Sequence, residues 1–203
     1  MATPARKVVK AAPSRRPSRG VRTTATQAYY MKIADAVRQK ASCDKRLVGA
    51  VVVLGNRIVS TGYNGTPEGM TNCNQGGCYR CGHPDLYEPG KGYDVCICVH
   101  AEQNALLSAA RFGIPVEGAD VYTTLAPCFG CMKELLQAKV RSVYYLGEFK
   151  VDTEHRDQLD ALIARFRSQK GRVKELVVGG IDPNLGRTGP ERIEDTGHTM
   201  PAA

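Results

Sequence analysis

Two short motifs constrain this chain more than any other feature of its sequence. The first is His100-Ala101-Glu102, and the second is Pro127-Cys128-Phe129-Gly130-Cys131. One histidine and two cysteines supply three zinc ligands, the number that a catalytic zinc keeps while it leaves a fourth position for water. A single histidine or a single CxxC pair is weak evidence, since either is often structural or redox-active. Both halves in this order, with Glu102 beside the histidine, form a far more specific pattern.

The residue types suit the hydrolysis of an amino group from a base ring. Zinc lowers the pKa of a bound water from about 15.7 to roughly 7, which provides hydroxide at neutral pH. One carboxylate can accept a proton and return it to the ring nitrogen and to the leaving ammonia. We therefore predict His100, Cys128 and Cys131 as ligands of a catalytic zinc and Glu102 as the catalytic proton shuttle. The pattern H-x-E…P-C-x-x-C is the known signature of the zinc deaminases.

Apolar spacing places both motifs at the N-termini of helices. Residues 101–112 are rich in apolar side chains and precede Gly113, a residue type that often follows a helix C-terminus. Cys128 and Cys131 are three residues apart and open a second helix, so they share one helix face. The partial positive charge of two helix N-termini would favour the thiolate form of both cysteines.

The remaining pattern predicts an α/β fold. Further helices are expected over residues 26–41 and 155–169, and strands over residues 47–54, 58–63, 119–124, 141–147 and 173–178. The first two strands form a hairpin, whereas the later alternation of strands and helices favours parallel pairing. We expect a three-layer α/β/α fold with a five-stranded mixed sheet. Both motifs then lie at strand-to-helix junctions, where open α/β sheets bind ligands.

Composition divides the chain into one folded body, residues 25–181, and two tails. Residues 1–24 carry seven of the eight excess positive charges and no acidic residue, so the body is nearly neutral. We expect this basic tail to be disordered; it is a solvated segment, an organellar transit peptide or a tether for polyanions. Residues 182–203 are expected to be a flexible C-terminal tail. With no apolar run near the roughly 18 residues of a membrane span, we expect no membrane partner and a cytoplasmic location.

Residues 65–99, the Cys-rich insert, are irregular and rich in glycine. A connection of this length is unusual unless it is functional or held by a ligand. It contains His83 and five cysteines, Cys73, Cys78, Cys81, Cys96 and Cys98. Four thiolate or imidazole ligands around a tetrahedral zinc would hold the insert in place, and free thiols are the alternative.

These motifs and the segments around them resemble the deoxycytidylate (dCMP) deaminase family of the cytidine deaminase-like superfamily. The similarity runs from about Tyr29 to Val178 and includes residues 48–51, 57–69, 100–105 and 127–131. The zinc motifs are common to the superfamily. Within it, Gly62-Tyr63-Asn64-Gly65-Thr66-Pro67 and the Cys-rich insert favour the dCMP deaminases.

The resemblance implies hydrolytic conversion of dCMP to dUMP by attack at C4, on the route to thymidylate. It implies that Asn64 hydrogen-bonds the sugar and that the backbone of Ala101 contacts the pyrimidine edge. It also implies a homo-oligomer, often a hexamer, and regulation by dCTP and dTTP, with Mg²⁺ accompanying a nucleotide effector. Deoxycytidine triphosphate or a modified cytosine nucleotide stays open as the substrate. Arg46, before the first strand, is either a phosphate contact or a solvated loop residue.

Some members of the family also carry a second, structural zinc. Cys43 and Cys73 match ligand positions of such sites, and Cys78 and Cys96, which are included as possible ligands, match cysteine positions common in the bacterial forms. Because Cys81, His83 and Cys98 are further candidates, the structural ligand set stays open. The sequence predicts about two zinc ions per chain, one in each kind of site.

Two other classes of function are compatible with the motifs. A nucleic-acid base deaminase, such as a tRNA adenosine deaminase, would share the zinc site but would usually need a basic or aromatic surface. The nearly neutral body argues against nucleic acid as a partner. A zinc-stabilised module without catalysis would have no use for Glu102, a carboxylate placed beside the metal rather than on it.

Overall fold

A five-stranded mixed sheet organises residues 23–87, 92, 95–147 and 156–182, the part of the chain that the computed structural model describes. Its strands are β1 (Gly49–Leu54), β2 (Arg57–Tyr63), β3 (Asp120–Leu125), β4 (Ser142–Gly147) and β5 (Val173–Glu175). They lie in the order β2-β1-β3-β4-β5. β1 is antiparallel to β2 and β3, whereas β3, β4 and β5 are parallel. The predicted mixed sheet is confirmed, while nearly all of both predicted tails lies outside the described residues.

The helices of the described region are α1 (Ala25–Val37), α2 (Tyr79–Gly82), α3 (Ala101–Arg111), α4 (Phe129–Gln137) and α5 (Arg156–Ser168). Thr24 and Gln27 form a capping box at the start of α1, and the 3₁₀ turn Arg38–Lys40 follows its end. The predicted first helix is therefore correct in position but shorter as an α-helix. None of these helices combines the length and the apolar character that crossing a bilayer requires.

Alternating side chains of the central strands face two different helical layers. Ala50, Val52 and Val121 pack on the side of α3, α4 and α5. Val51 and Tyr122 point to the opposite side and pack against α1. Since successive residues of a strand point to opposite faces, this alternation buries both faces of the sheet. The predicted three-layer α/β/α architecture is confirmed.

The edge strand β5 is shorter than predicted. It pairs only with β4, and its last ladder contact is the N–H of Leu176, which donates to the carbonyl of Tyr145 at 2.7 Å. Leu176 is buried, but Val177 is 84% exposed, so the chain leaves the sheet here. The residues up to Val178 are apolar enough to form a strand, but after Leu176 they have no pairing partner on β4.

Close packing fixes the start of α3 against the sheet. Gly62 on β2 faces the backbone of α3, and a Cβ atom at Gly62 would overlap the carbonyl oxygen of Ala101 and the amide nitrogen of Ala105. The hydroxyl of Ser60 donates to the carbonyl of Ala105 at 2.7 Å. The first turn of α3 is therefore held against β2 by both packing and a hydrogen bond.

Candidate active site

Two helix N-termini bring the three predicted zinc ligands together. His100 is the N-cap of α3, and Cys128 is the N-cap of α4, both with extended backbone. Cys131 lies in the first turn of α4. The Nδ1 atom of His100 is 3.4 Å from Sγ of Cys128 and 3.3 Å from Sγ of Cys131. All three ligand atoms lie within 4.8 Å of one another.

This geometry suits a tetrahedral zinc. Zn–N bonds of about 2.0–2.1 Å and Zn–S bonds of about 2.3 Å place neighbouring ligand atoms roughly 3.5–3.8 Å apart. The two observed N···S distances are only slightly shorter. Imidazole and thiolate are also the donor types that zinc prefers, and three of them form the group. The residues present therefore fit a zinc ion with one position left for a small ligand.

Hydrogen bonds within this group shift the pKa values of its three members in different directions. The bond from the thiol of Cys131, together with His100, lowers the pKa of Cys128 to about 4. The resulting thiolate raises the pKa of His100 to about 9. The same thiolate and burial raise the pKa of Cys131. Metal binding at this group must therefore displace protons, as is usual for thiolate and imidazole ligands.

Glu102 lies one residue beyond the helix start and is 4% exposed. Its Oε1 atom accepts a hydrogen bond of 2.7 Å from the hydroxyl of Thr123 on β3. Burial raises the pKa of Glu102, and the bond from Thr123 and the charge of His100 only partly oppose this effect. A raised pKa makes this carboxyl group a better proton acceptor than an ordinary glutamate, which suits a proton shuttle.

Thr123 is a site residue that sequence reasoning missed. It is fully buried at the end of β3, where Thr124 is buried as well. Its contact with Glu102 depends on how β3 lies beside α3, so no local pattern indicates it. Gln103 was also missed: its Oε1 accepts from the backbone N–H of His100 at 3.0 Å. A glutamine three residues after an N-cap is the signal that could have revealed this contact.

Asn64 is 7% exposed, and its amide holds the loop that leads into β1. Its Oδ1 accepts from the N–H of Val48 at 2.8 Å, and its Nδ2 donates to the carbonyl of Arg46 at 2.8 Å. The predicted sugar contact would use the second N–H of the same amide. Ala101 is fully buried at the first position of α3, where backbone N–H groups have no partner within the helix.

A second group of thiols lies in and beside the Cys-rich insert. The sulfurs of Cys43, Cys73, Cys81 and Cys98 lie within 4.8 Å of one another, and so do those of Cys78, Cys81, Cys96 and Cys98. All of these cysteines are free of disulfide bonds. The four predicted structural ligands therefore fall into two different groups, with Cys43 and Cys73 in one and Cys78 and Cys96 in the other.

His83 lies outside both groups of thiols. Its ring stacks on Tyr79 with centroids 4.0 Å apart, and its Nδ1 is 2.9 Å from the carbonyl oxygen of Tyr79. Its side chain is exposed, whereas five of the six cysteines are buried. Of the further candidates in the insert, Cys81 and Cys98 are thus placed with the other thiols and His83 is not.

The family model of the cytidine and deoxycytidylate deaminase zinc-binding region matches residues 24–147. The chain belongs to the cytidine and deoxycytidylate deaminase family. The match includes both zinc motifs and the Cys-rich insert, so the resemblance found in the sequence is confirmed.

Several relatives of this family are similar to the chain. Deoxycytidylate deaminase of Schizosaccharomyces pombe is 40% identical over 139 residues, which are 68% of this chain and 42% of that protein. Deoxycytidylate deaminase of Mycobacterium phage D29 is 37% identical over 123 residues, which are 59% of this chain and 93% of that protein. The chain thus spans about two fifths of the yeast relative's length.

Among solved structures, dCMP deaminase from cyanophage S-TIM5 is similar to the chain, with a TM-score of 0.53 and 31% identity. The similarity covers 73% of this chain and 94% of the phage enzyme. The phage enzyme has also been solved in complex with dCMP and dUMP. The described residues therefore have the cytidine deaminase-like fold.

Proposed function

We propose that this chain is a zinc-dependent deaminase that hydrolyses dCMP to dUMP and ammonia. The observation that carries the proposal is the group formed by His100, Cys128 and Cys131, with the buried carboxyl group of Glu102 two residues from the histidine. The similarity to dCMP deaminases of phages, over nearly the whole length of those proteins, supports a cytosine nucleotide as the substrate.

His100, Cys128 and Cys131 would hold the zinc, which supplies an activated water at neutral pH when it is bound. Glu102 takes one proton from the water and delivers it to N3 of the pyrimidine, and it then takes the second proton of that water and delivers it to the amino group, which leaves C4 as ammonia. The hydroxyl of Thr123 fixes one oxygen of this carboxyl group and so limits its rotation. The balance is one water consumed and one ammonia released for each dUMP formed.

Three residues near this group are proposed to recognise the nucleotide. The second N–H of the Asn64 amide would meet the sugar, and the backbone of Ala101 would meet the pyrimidine edge. Arg46 is held beside Asn64 through its carbonyl, while its side chain is exposed and cationic. We assign the 5′-phosphate to this side chain, because a guanidinium suits phosphate oxygens.

The remaining expectations concern metal, assembly and regulation. We propose that the cysteines in and beside the insert bind structural zinc, since soft thiolates grouped in this way suit that metal. Homo-oligomerisation is supported by Leu107 and Phe112, large apolar side chains that are 60% and 71% exposed. Regulation by dCTP and dTTP with Mg²⁺, and a cytoplasmic location, remain predictions from the family resemblance.

The deciding experiment measures deamination by the purified zinc-loaded chain. Substrates are dCMP, dCTP, deoxycytidine and tRNA, and the assays of the other three are repeated with added dCTP as effector. We expect turnover of dCMP by the unmodified chain, and loss of turnover with retained zinc in Glu102→Gln. Turnover of tRNA but not of dCMP would replace the proposal with a nucleic-acid base deaminase. Full activity in Glu102→Gln would remove the proposed proton shuttle.

A further inference from the structure

We propose that the six cysteines in and beside the insert form one binuclear site that binds two Zn²⁺ ions through four terminal and two bridging thiolates. The bridging ligands are Cys81 and Cys98. The terminal ligands are Cys43 and Cys73 on one ion and Cys78 and Cys96 on the other. This inference deepens the structural-zinc part of the proposed function, and it does not depend on which nucleotide is the substrate.

The overlap of the two groups of sulfurs is the main observation. Cys81 and Cys98 belong to both groups, and within each group every sulfur lies within 4.8 Å of the others. Two tetrahedra that share an edge have two common corners and need six ligand atoms in all. The six cysteines provide this number, and the two shared ones occupy the common edge.

The distances agree with zinc–thiolate geometry. A tetrahedral zinc with Zn–S bonds of about 2.3 Å has sulfurs roughly 3.8 Å apart. The sulfurs of Cys78 and Cys96 are 3.7 Å apart, which matches one edge of the second tetrahedron. A disulfide between them would need about 2.05 Å. This pair is therefore placed as two ligands of one ion rather than as a reducible bond.

Local structure explains how six sulfurs converge. Cys78 caps the short helix α2 and Cys81 lies in its single turn, so the two sulfurs share one face, as in the Cys128–Cys131 pair of α4. Cys96 and Cys98 are two residues apart, and their sulfurs also lie within 4.8 Å of one another. Each CxxC or CxC pair thus supplies one terminal and one bridging thiolate.

Charge also favours the second ion. One Zn²⁺ bound by four thiolates carries a net charge of −2. A second Zn²⁺ that binds two further thiolates leaves this net charge unchanged. The second ion therefore adds four zinc–sulfur bonds without adding net charge. Additional net charge would cost much free energy in this buried cluster. The N–H of Asp44, 3.4 Å from the sulfur of Cys73, is placed to stabilise a thiolate there.

The cluster ties together the segments that carry the candidate active site. The N–H of Ser42, next to Cys43, donates to the carbonyl of Asn64 at 3.2 Å. Cys98 is followed by Val99, whose backbone pairs with that of Gly65, and Val99 is in turn followed by His100. The two metal ions would therefore fix both the loop that holds Asn64 and the start of α3. Apart from Arg80, the buried side chains in the described part of the insert are cysteines, so metal binding would take the place of an apolar core.

The test is a count of metal ions in the purified chain, by native mass spectrometry and by elemental analysis. We expect three zinc ions per chain, two in the cluster and one at His100, Cys128 and Cys131. The double variant Cys78→Ser and Cys96→Ser should retain two zinc ions, because the group of Cys43, Cys73, Cys81 and Cys98 still binds one. A single cluster ion at that group would instead give two ions per chain both before and after the substitutions, and would overturn the proposal.

A second measurement tests the bridging thiolates and does not depend on activity. In the chain loaded with ¹¹³Cd, two ions that share thiolates should show mutual ¹¹³Cd–¹¹³Cd coupling in NMR spectra, and this coupling should vanish in the double variant. Three metal ions without such coupling would refute the bridge, and iron in place of zinc would refute the metal. Circular dichroism of each variant verifies that the sheet is folded. Three zinc ions without turnover of dCMP would refute the proposed function alone.

Discussion

Replacing Thr123 with valine tests the proton shuttle at a residue that is not itself a proposed metal ligand. The substitution keeps the shape of the side chain and removes the hydroxyl that donates to Oε1 of Glu102 at 2.7 Å. Both side chains are buried, so water does not readily replace the lost donor. A hydrogen bond to a charged group contributes about 1.5–3 kcal/mol, and each 1.36 kcal/mol changes a rate tenfold. We therefore expect kcat for dCMP to fall about 10- to 100-fold.

The pH dependence of Thr123→Val has a definite sign. Burial holds the pKa of Glu102 above its ordinary value, and the bond from Thr123 lowers this pKa. Removing the hydroxyl therefore moves the pKa of Glu102 further upward. If the ionised carboxylate accepts the first proton, activity is lost as the pH falls through this pKa. The acidic limb of the kcat profile should thus move to higher pH in Thr123→Val, and Thr123→Ser should restore it.

Thr124→Val is the matched control. Thr124 is the next residue of β3 and is equally buried, and its hydroxyl accepts from the N–H of Gly49 at 3.1 Å. Both substitutions remove one buried hydroxyl and should lower stability by about 1–3 kcal/mol. Only Thr123→Val should change kcat and its pH profile. An unchanged profile in Thr123→Val, or the same change in Thr124→Val, would refute the assigned role of Thr123.

Three further predictions address packing, substrate and metal. Gly62→Ala should lower the free energy of unfolding by about 1–3 kcal/mol, because the added Cβ would overlap the backbone of Ala101. A lower Tm would show this loss, whereas Gly179→Ala, where the added Cβ meets open space, should leave Tm unchanged. Arg46→Ala should raise KM for dCMP about tenfold and leave KM for deoxycytidine unchanged; an equal rise for both would contradict a phosphate contact. Chelation should abolish turnover and speed amide hydrogen exchange in the Cys-rich insert while β1 stays protected; persistent protection of the insert would argue against structural zinc.

The order and type of the elements follow from local pattern. Apolar alternation and turn residues predict all five strands and the helices around both motifs, since these signals arise from neighbours within a few residues. The ends are less well specified. Residues 38–40 form a 3₁₀ turn rather than the end of an α-helix. The strand β5 ends at Glu175, because a strand extends only as far as it can pair with its neighbour. The predicted tails belong mostly to residues that the structure does not describe.

The candidate site divides in the same way. His100 and Glu102 are two residues apart and Cys128 and Cys131 are three apart, each pair at a helix start. The sequence by itself therefore determines the placement within each pair, whereas the fold brings the two pairs together. Thr123 is brought to Glu102 only because α3 packs on β2 and β1 and because β3 lies next to β1 in the sheet. A hydrogen bond between residues on separate elements leaves no periodic trace in the sequence.

The Cys-rich insert shows most clearly what the tertiary structure decided. The sequence determined that cysteines are concentrated there, and the family resemblance selected Cys43, Cys73, Cys78 and Cys96 as the expected ligands. Folding instead places Cys81 and Cys98 between these two pairs. Ligand grouping depends on where the chain crosses in space, and the segments that carry these sulfurs are distant along the chain. Residue types and short spacings therefore indicate the metal-binding chemistry, whereas long-range packing decides which sulfur atoms lie in one group.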